Sequence, residues 1–387
     1  MSHDLSAYIG NADAFPILKH WDFFNHAGVC PLPRCAADAI RAYASQAETD
    51  SYLVGTWYRD IESLRVASAR MLNAHRDEIA FIKNTGEGLS IIANGIDFQP
   101  GDRIVTTAVE YPANIYPWMD IAKRKQCELV MVAEEAGADG TRAVSLERII
   151  QEASHPHTKV VTLSHVEYAS GQRLDIATIG KLCRDQGKLF CVDAIQSLGV
   201  LPVDVQEMHI DYLAADGHKW LLGPEGAGIL YVRRELIAKT PPLTIGWLSV
   251  VNPQDYGNYD FTLKPDAGKY ECGTYNVPGL HGLKAAVDLL NEVGVEGVSA
   301  RLKHLTDYLI ERLTPKGYTI LSPRSEEQWS GSVSFASSVH SHQEIWLTLR
   351  KQHRIEIALR EGRLRCSAHF YNAEQQIDRL IDALPRH

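Results

Sequence analysis

The sequence lacks the features that mark several classes of protein. It has no uninterrupted apolar run near the ~20 residues that a membrane-spanning helix needs. Residues 1–15 contain neither the basic region nor the apolar region of a secretion signal. Acidic residues outnumber basic ones, 48 against 39, and no basic block stands out. We therefore expect that this chain does not span or bind a membrane, is not secreted and does not bind nucleic acid.

Cysteine is sparse and scattered. The seven cysteines never form a CxxC pair, which argues against a disulfide scaffold and against a cysteine-ligated zinc site. Two pairs of alternating histidines have no nearby cluster of carboxylates or cysteines, so we expect no metal; these pairs are His155/His157 and His340/His342. The pattern is typical of reduced thiols and predicts a cytoplasmic location. The length of 387 residues predicts two domains, or one large domain with a smaller companion.

Strand-like and helix-like segments alternate between residues 78 and 233. Seven short apolar segments predict strands at Glu78–Ile82, Arg103–Val109, Glu128–Ala133, Lys159–Val166, Lys188–Ala194, Asp211–Asp216 and Gly228–Arg233. Most are apolar throughout, as expected for strands that are covered on both faces. Segments with helical spacing of apolar residues lie between them. The alternation predicts an α/β fold with a mainly parallel sheet.

The character of the sequence changes after residue 242. A loop-rich stretch gives way to predicted helices at Gly279–Val293, Val298–Leu313 and about Ala373–Leu384, with short strands near Tyr318–Leu321 and Gly331–Phe335. We therefore place a large domain at residues 21–269 and a smaller α+β domain at residues 270–387. Residues 1–20 are predicted to pack against the smaller domain or a neighbour.

The first motif that could carry chemistry is KNTGEGLSIIANG, at Lys83–Gly95, which follows a predicted strand and opens a helix. Thr85 can cap this helix, and Gly86 and Gly88 let the backbone come close to an anion. Free N–H groups at the start of a helix favour phosphate. The alternative is an ordinary strand–helix turn that contains glycines. Neither this motif nor GPEGAG (Gly223–Gly228) fits a Walker or dinucleotide motif.

The second motif, VDAIQSLG, places Asp193 at the carboxyl end of an apolar strand, with Gln196 three residues later. Ligands of open α/β sheets bind outside these strand ends. A buried carboxylate there needs a cationic partner. The alternative is that Asp193 caps a helix.

The third motif, DGHKWLLGPEGAG, places Lys219 beside Trp220, Leu221 and Leu222. Burial lowers the pKa of a lysine and makes it a better amine for bonding an aldehyde. The alternative is a lysine whose stem lies along an apolar strand while its ammonium reaches water. The three motifs together offer a phosphate site, a carboxylate for a pyridine nitrogen and an amine for an aldehyde, which are the requirements of pyridoxal phosphate.

With these motifs the sequence resembles the class V aminotransferase family of pyridoxal-phosphate enzymes. This family includes cysteine desulfurases, cyst(e)ine lyases, isopenicillin-N-epimerase-like proteins and kynureninase. The resemblance extends from Phe23–Pro33 to Arg365–Asn372 and rests on an ordered set of motifs: NTGEG, VEYPANIYPW, SHVEYASGQ, VDAIQ, GHKWLLGPEGAG, ECGTYN and ALREGRLRCSAHFYN. It implies a pyridoxal-phosphate transferase fold of type I, with a large α/β domain and a smaller carboxyl-terminal α+β domain.

The resemblance also implies roles around the cofactor ring. Lys219 would bond the cofactor aldehyde and then move the Cα proton of the substrate. Asp193 would pair with the protonated pyridine nitrogen, and Gln196 would reach the phenolic oxygen. Tyr111 stands where the family stacks an aromatic ring or an imidazole on the cofactor.

Further residues match positions that contact phosphate or substrate in the family. The phosphate set is Thr85, Gly86 and His218, with the backbone N–H of Glu87, and with Thr274 reaching across from a neighbouring subunit. This last match implies a homodimer with shared active sites. Arg365 matches the arginine that grips the substrate α-carboxylate, for which its planar fork is well suited. Asn25 and His26 lie where the family's amino-terminal segment approaches an amino-acid substrate, or form a plain turn.

Three positions depart from the desulfurase pattern. Tyr168 replaces an asparagine, and Asp216 replaces a phosphate-binding serine. Desulfurases carry a nucleophilic cysteine on a loop between two arginine motifs, whereas only EGRL separates Arg360 from Arg365 here. Cys366 follows the second arginine and is interpreted as a buried strand thiol. We therefore do not expect a persulfide on the enzyme.

The sequence predicts an enzyme that removes the Cα proton of an amino acid held as an imine on the cofactor. Aminotransferase activity is the narrow preference. The alternatives are a cyst(e)ine C–S lyase or cysteine desulfurase-like enzyme, and an amino-acid epimerase. A regulatory protein that keeps the fold without turnover is the alternative from another class, and intact Lys219, Asp193 and Arg365 argue against it.

Overall fold

The strands and helices alternate as predicted in the computed structural model, which describes residues 5–386. The strands are β1 (Asp22–Phe23), β2 (Ile79–Ile82), β3 (Arg103–Thr107), β4 (Glu128–Val132), β5 (Glu134–Ala136), β6 (Arg142–Val144), β7 (Thr158–Ser164), β8 (Leu189–Asp193), β9 (Tyr212–Asp216), β10 (Gly228–Val232), β11 (Thr319–Ile320), β12 (Ser332–Ala336), β13 (Ile355–Glu356), β14 (Ala358–Arg360) and β15 (Arg363–Ser367). The helices are α1 (Arg34–Thr49), α2 (Trp57–Leu72), α3 (Thr85–Gly95), α4 (Tyr116–Lys125), α5 (Leu146–Ala153), α6 (Ile176–Asp185), α7 (Arg234–Ile237), α8 (Val277–Val293), α9 (Val295–Leu313), α10 (His342–Thr348) and α11 (Glu374–Ala383). A π-helical turn, Leu349–His353, follows α10.

All seven predicted strands join one sheet, in the order β2-β10-β9-β8-β7-β3-β4. Strand β10 runs antiparallel to both of its neighbours, and the remaining pairs are parallel. This confirms the mainly parallel mixed sheet. Asp193 at the end of β8 pairs with Ser164 of β7 and Ala214 of β9, so the carboxyl ends of these strands share one edge of the sheet.

Successive strand residues enter two different hydrophobic clusters. Val161 of β7 and Val192 of β8 face the cluster shared with α2, α5, α6 and α8, whereas Val160 and Cys191 face the cluster shared with α3 and α4. The sheet is therefore covered on both faces, which explains why its strands are apolar throughout. This burial leaves the carboxyl edge as the place where polar side chains can reach a ligand.

The carboxyl-terminal part of the chain builds a second, antiparallel sheet in the order β11-β12-β15-β14. Its core contains Leu305 and Leu309 of α9 together with Phe335 and Leu364. Helix α8 instead packs against α1 and α2 and enters the core of the large sheet. The domain boundary at residue 270 stays a prediction. Helix α9, and not α8, is the first of these two helices to pack against the second sheet.

The amino-terminal segment is tied to the second sheet and its surroundings. Strand β1 pairs with β13 over more than 330 residues of sequence, and Phe15 stacks on Tyr371 with 3.8 Å between ring centroids. This contact agrees with the predicted packing of the first residues, of which residues 1–4 lie outside the described part. Among residues 5–386 no helix is both long and apolar enough to cross a bilayer.

Candidate active site

A cavity of about 740 Å³ opens at the carboxyl ends of β8 and β9. One wall comes from the large sheet and α3, and the facing wall comes from the amino-terminal segment and the second sheet. The cavity brings together most of the predicted site residues: Asn25, Thr85, Gly86, Tyr111, Asp193, Gln196, His218, Lys219 and Arg365. These residues are far apart in sequence, and the sheet edge collects them.

Helix α3 presents free donors to this cavity. Its cap is Asn84, whose Oδ1 accepts the N–H of Glu87 at 2.9 Å; the prediction that Thr85 caps the helix is wrong. The first helical N–H groups, those of Thr85 and Gly86, have no intrahelical acceptor. The N–H of Glu87 is used by the cap, so the predicted phosphate contact of this group is also wrong. Thr85 and Gly86 line the cavity, and the start of a helix with such N–H groups is suited to an anion.

Asp216 supports this anion site from behind. One of its oxygens accepts the N–H of Gly217 at 2.7 Å, and the other pairs with Nδ1 of His218, also at 2.7 Å. The backbone N–H of Asp216 donates to the hydroxyl of Thr85 at 3.1 Å. The carboxylate therefore orients His218 instead of facing an anion, which explains how an aspartate is accommodated where desulfurases have a phosphate-binding serine.

Asp193 is buried at the end of β8, with 1% of its surface exposed. Its Oδ1 accepts the N–H of Ile195 at 3.0 Å, and a turn follows instead of a helix, so the helix-cap alternative is excluded. Burial raises the pKa of Asp193 to about 6, against the lowering effects of the Ile195 hydrogen bond and of Lys219. Gln196 is held nearby by Ala27 O and the indole N–H of Trp220. An ionised Asp193 would be stabilised by a cation bound in the cavity.

Two further buried carboxyl groups lie near Asp193, and the sequence did not point to them. Glu110 accepts the backbone N–H and the hydroxyl of Ser164, and Glu167 accepts the hydroxyl of Thr107 at 2.8 Å. Burial raises the pKa of both groups, to about 8 for Glu167. Of these three buried carboxyl groups, Asp193 therefore ionises more readily than Glu167.

Lys219 lies in the same buried region, with 8% of its surface exposed. Its Nζ is 5.4 Å from the ring centroid of Tyr111. Burial lowers its pKa to about 8, assisted by Arg365 and Arg360, whereas Asp193 raises it. A lysine in this state has more free amine near neutral pH than an ordinary lysine, as a nucleophile or a base requires.

Arg365 extends from β15 with only 1% of its surface exposed. One Nη donates to the carbonyl of Tyr168 at 2.5 Å, and the other approaches Oδ1 of Asn25 at 3.4 Å. Its Nε is buried and has no hydrogen-bond partner within the described residues. Burial and the neighbouring Arg360 lower its pKa to about 9. A buried cation with an unused donor is suited to a carboxylate ligand.

Tyr168, the second departure from the desulfurase pattern, connects the two walls. Its hydroxyl donates to Glu361 at 2.9 Å on the turn between β14 and β15, and its ring meets Tyr111 edge-to-face at 5.3 Å. Burial raises its pKa to about 12. The side chain therefore bridges the walls as a neutral hydroxyl.

Three predicted residues lie outside the cavity: His26, Glu87 and Thr274. His26 is fully buried, with Nδ1 bonded to Ser367 O and Nε2 to the Tyr371 hydroxyl, and burial lowers its pKa to about 4. Both ring nitrogens are used inside the fold, so the structure does not bring His26 to a substrate. Glu87 and Thr274 lie together in a separate surface depression.

No cysteine lines the cavity, and all seven cysteines lie within the described residues. Cys366 faces the hydrophobic core of the second sheet, and burial raises the pKa of its thiol. The connection between β14 and β15 consists of two residues, Glu361 and Gly362. This hairpin has no room for a mobile thiol-bearing loop.

Known proteins match this chain over nearly its whole length. The aminotransferase class V family model matches residues 23–380. A curated relative from Methanothermobacter thermautotrophicus, named a probable cysteine desulfurase, is 30% identical over 95% of this chain and 95% of its own length. The solved complex of the cystine C–S lyase C-DES with its reaction product cysteine persulfide superposes with a TM-score of 0.86 and 27% identity, over 95% of this chain and 98% of that one. A lysine-to-alanine mutant of C-DES with glycine covalently linked to its pyridoxal-phosphate cofactor gives 0.87 and 26%, over 96% and 98%.

The cavity fits pyridoxal phosphate, and the neighbours confirm both this cofactor and the type I fold. Thr85 and Gly86 offer unpaired N–H groups to a phosphate. Asp193 is a buried carboxylate that forms no salt bridge within residues 5–386, as the site of a pyridinium nitrogen requires. The Nζ of Lys219 forms no hydrogen bond within residues 5–386 and is free to meet an aldehyde. The donor set is therefore complementary to the three functional groups of the cofactor.

Proposed function

Because the chain belongs to the aminotransferase class V family of pyridoxal-phosphate enzymes, we propose that it cleaves the Cβ–S bond of a sulfur-containing α-amino acid by β-elimination. The sulfur leaves on a fragment of the substrate and is not transferred to a cysteine of the enzyme. The names of its relatives support sulfur chemistry, since they describe cysteine desulfurases and a cystine C–S lyase.

The absence of a cysteine from the cavity wall carries this proposal. Persulfide transfer needs a thiolate that can reach the sulfur of the substrate, and thiolate character needs exposure near positive charge. Cys366 is the cysteine nearest in sequence to Arg365, and its thiol is buried with a raised pKa. A substrate fragment must therefore carry the sulfur away.

The residues of the cavity have distinct tasks in this reaction. Arg365 binds the α-carboxylate through its unused Nε and its fork, assisted by Asn25, and so orients the Cα–H bond. Lys219 removes the Cα proton at Nζ, because its lowered pKa supplies the free amine. Asp193 stabilises positive charge opposite Lys219, and Thr85 and Gly86 anchor an anion at the start of α3.

When bound, pyridoxal phosphate supplies an electron sink for the pair left at Cα. Removal of the proton is followed by loss of the sulfur substituent from Cβ with the electron pair of the C–S bond. From cystine the leaving fragment is cysteine persulfide, and hydrolysis of the remaining three-carbon unit gives pyruvate and ammonia. From cysteine the leaving group is hydrosulfide.

Transamination, which the sequence narrowly favours, begins with the same removal of the Cα proton as elimination does. It remains a prediction. The two reactions are separated by incubating the enzyme with L-cystine, L-cysteine and a panel of other amino acids, with and without 2-oxoglutarate. Elimination predicts pyruvate, ammonia and reduced sulfur independent of 2-oxoglutarate. Glutamate formation that depends on 2-oxoglutarate, without sulfur release, would replace the lyase proposal by an aminotransferase.

We also propose that the active unit is a homodimer whose sites are shared. Thr274 lies outside the cavity of its own chain, in a surface depression with Lys83 and Asn276. The indole of Trp247, itself partly exposed, adjoins Gly273 beside it. Further exposed apolar side chains lie before and after Trp247 in the same stretch of sequence: Leu243, Ile245, Tyr256, Tyr259 and Phe261. So many exposed apolar side chains in one stretch favour a surface that another protein chain covers.

A further inference from the structure

The wall of the cavity that faces Lys219 carries three charged groups to which the reaction assigns no task. Arg350 lies on the π-helical turn, Glu356 ends β13 and Arg360 ends β14, and all three line the cavity. Arg350 Nε is 3.3 Å from Oε2 of Glu356. Arg360 donates to the carbonyl of Leu359 and has no carboxylate partner among residues 5–386.

We infer that Arg350, Glu356 and Arg360 form a second zwitterion subsite, which binds the far α-amino-acid group of a disulfide or thioether amino acid such as cystine. The inference rests on the proposed function for the sulfur-containing substrate. It concerns recognition of the part of the substrate that departs, and not the bond that breaks.

The position of Asn25 places the two subsites side by side. Its Oδ1 approaches Arg365 Nη2 at 3.4 Å, and its Nδ2 approaches Glu356 Oε1, also at 3.4 Å. One amide side chain therefore separates the arginine for the first α-carboxylate from the carboxylate of the second subsite. The two Cα atoms of a cystine unit are about 5.5–6 Å apart, which suits neighbouring subsites of this kind.

The signs of the charges select a zwitterion. Glu356 is suited to an ammonium group, while Arg350 and the unpaired Arg360 are suited to a carboxylate. A dicarboxylic amino acid would bring a second carboxylate towards Glu356, and cysteine has no second charged group to offer to any of the three. The far α-amino-acid group of cystine supplies both an ammonium and a carboxylate.

The subsite is built to exchange its internal ion pair for a ligand. The side chain of Glu356 is 13% exposed and is fixed by Asn25, whereas that of Arg350 is 51% exposed. The guanidinium of Arg350 lies 5.6 Å from the ring centroid of Trp346, which supports its position along the wall. An ion pair with so exposed a member contributes little to stability, so a ligand can replace it at small cost.

The test compares four substrates of the holoenzyme that differ only in the group beyond sulfur. L-Cystine carries both charges, S-carboxymethyl-L-cysteine only the carboxylate, S-(2-aminoethyl)-L-cysteine only the ammonium, and S-methyl-L-cysteine neither. The readout is consumption of the amino acid. It reports selectivity even if the product is a keto acid of transamination and the proposed elimination is wrong.

Glu356→Gln keeps the hydrogen bond to Asn25 and should raise KM for L-cystine and the aminoethyl compound about tenfold. Arg350→Gln should do the same for L-cystine and the carboxymethyl compound. Both variants should leave S-methyl-L-cysteine within about twofold. Lys351→Gln, a neighbouring exposed residue that does not line the cavity, is the control and should change none of the four.

An equal change of KM for all four substrates, or no change, would overturn the inference. A wild-type preference for S-carboxymethyl-L-cysteine over L-cystine would also overturn it, because the subsite would then be a carboxylate site. Pyruvate and sulfur analysis of the same reactions reports separately on the proposed elimination.

Discussion

The two walls of the cavity hold their charged groups in different ways. On the large sheet, Asp193 and Lys219 are 1% and 8% exposed, and burial moves their pKa values to about 6 and about 8. On the facing wall, the side chains of Glu356 and Arg350 are 13% and 51% exposed. Burial therefore prepares the first pair for proton transfer. On the facing wall burial also raises the pKa of Glu356, against the lowering effects of Arg350, Asn25 and Arg360, while Arg350 itself reaches water.

This difference separates chemistry from selection. Substitutions on the large sheet should act mainly on kcat, and substitutions on the facing wall should act mainly on KM. Arg365 is an exception in burial alone: it comes from the second sheet and is buried as deeply as Asp193, but it binds the α-carboxylate and should therefore still act on KM. Its contact with the carbonyl of Tyr168 ties it to the large sheet.

The largest effect is expected from Lys219→Ala, which removes the base and should lower kcat roughly 10³-fold. Lys181→Ala, at an exposed lysine on α6 that lines neither the cavity nor the depression around Thr274, is the control. Borohydride reduction of the wild-type holoenzyme followed by peptide mapping should locate the cofactor on Lys219. Mapping to another lysine, or near-normal kcat in the alanine variant, would contradict the assignment.

The burial of Lys219 also predicts a pH dependence of stability in the apoprotein. The folded pKa of about 8 lies below the ordinary 10.5, so the unfolded chain binds more protons between these pH values. The resulting penalty is full below pH 8 and fades as the pH rises towards 10.5. Lys219→Met should therefore stabilise the apoprotein more at pH 7 than at pH 10, by on the order of 2 kcal/mol in urea unfolding. An equal effect at both pH values would mean that Lys219 is not desolvated.

Arg365→Lys tests the arginine of the facing wall that is proposed to bind the α-carboxylate and that is as deeply buried as Asp193. Lysine keeps the charge but not the planar fork, so KM for α-amino acids should rise about 10- to 100-fold. Arg363→Lys on the same strand is the matched control, because Arg363 pairs with Glu134 outside the cavity. Equal effects of the two substitutions would show that KM rises because β15 is disturbed, and not because the planar fork of Arg365 is lost.

Thr274→Ala tests whether Thr274 of a second chain contacts the cofactor phosphate and so completes the large-sheet wall. Loss of one phosphate hydrogen bond should weaken cofactor binding about tenfold without unfolding the chain. At limiting pyridoxal phosphate, mixed dimers of Lys219→Ala and Thr274→Ala chains should be more active than either parent homodimer, because one of their two sites is then intact. Sites contained within single chains would give no recovery.

Much of the large-sheet wall could be predicted from sequence, because local signals specify it. The apolar strands identify the sheet, and the polar residues that follow them, Asp193 and Lys219, are placed by its carboxyl edge. Asn84 was missed although it directly precedes the helix and is a preferred cap. Glu87 was wrongly assigned because the sequence does not show which group uses its N–H.

The facing wall gave no comparable signal. Glu356 reaches the cavity because β13 pairs with β1, and Asn25 follows β1 in the amino-terminal segment. That pairing joins two-residue strands from opposite ends of the chain, and hydrophobic periodicity does not detect such strands. His26 was predicted to approach the substrate but does not. Asn25, the residue before it, lines the cavity, whereas both ring nitrogens of His26 form hydrogen bonds inside the fold.

The central claim is that sulfur leaves on the substrate and never on the enzyme. The most direct measurement is the intact mass of the protein, quenched during turnover of L-cystine and of L-cysteine, with parallel analysis of the small molecules. The account predicts an unchanged polypeptide mass, with pyruvate and either cysteine persulfide or hydrosulfide in solution. A sulfur atom added to the protein, removed by a thiol reductant and lost with sulfur release in one Cys→Ser variant, would contradict it.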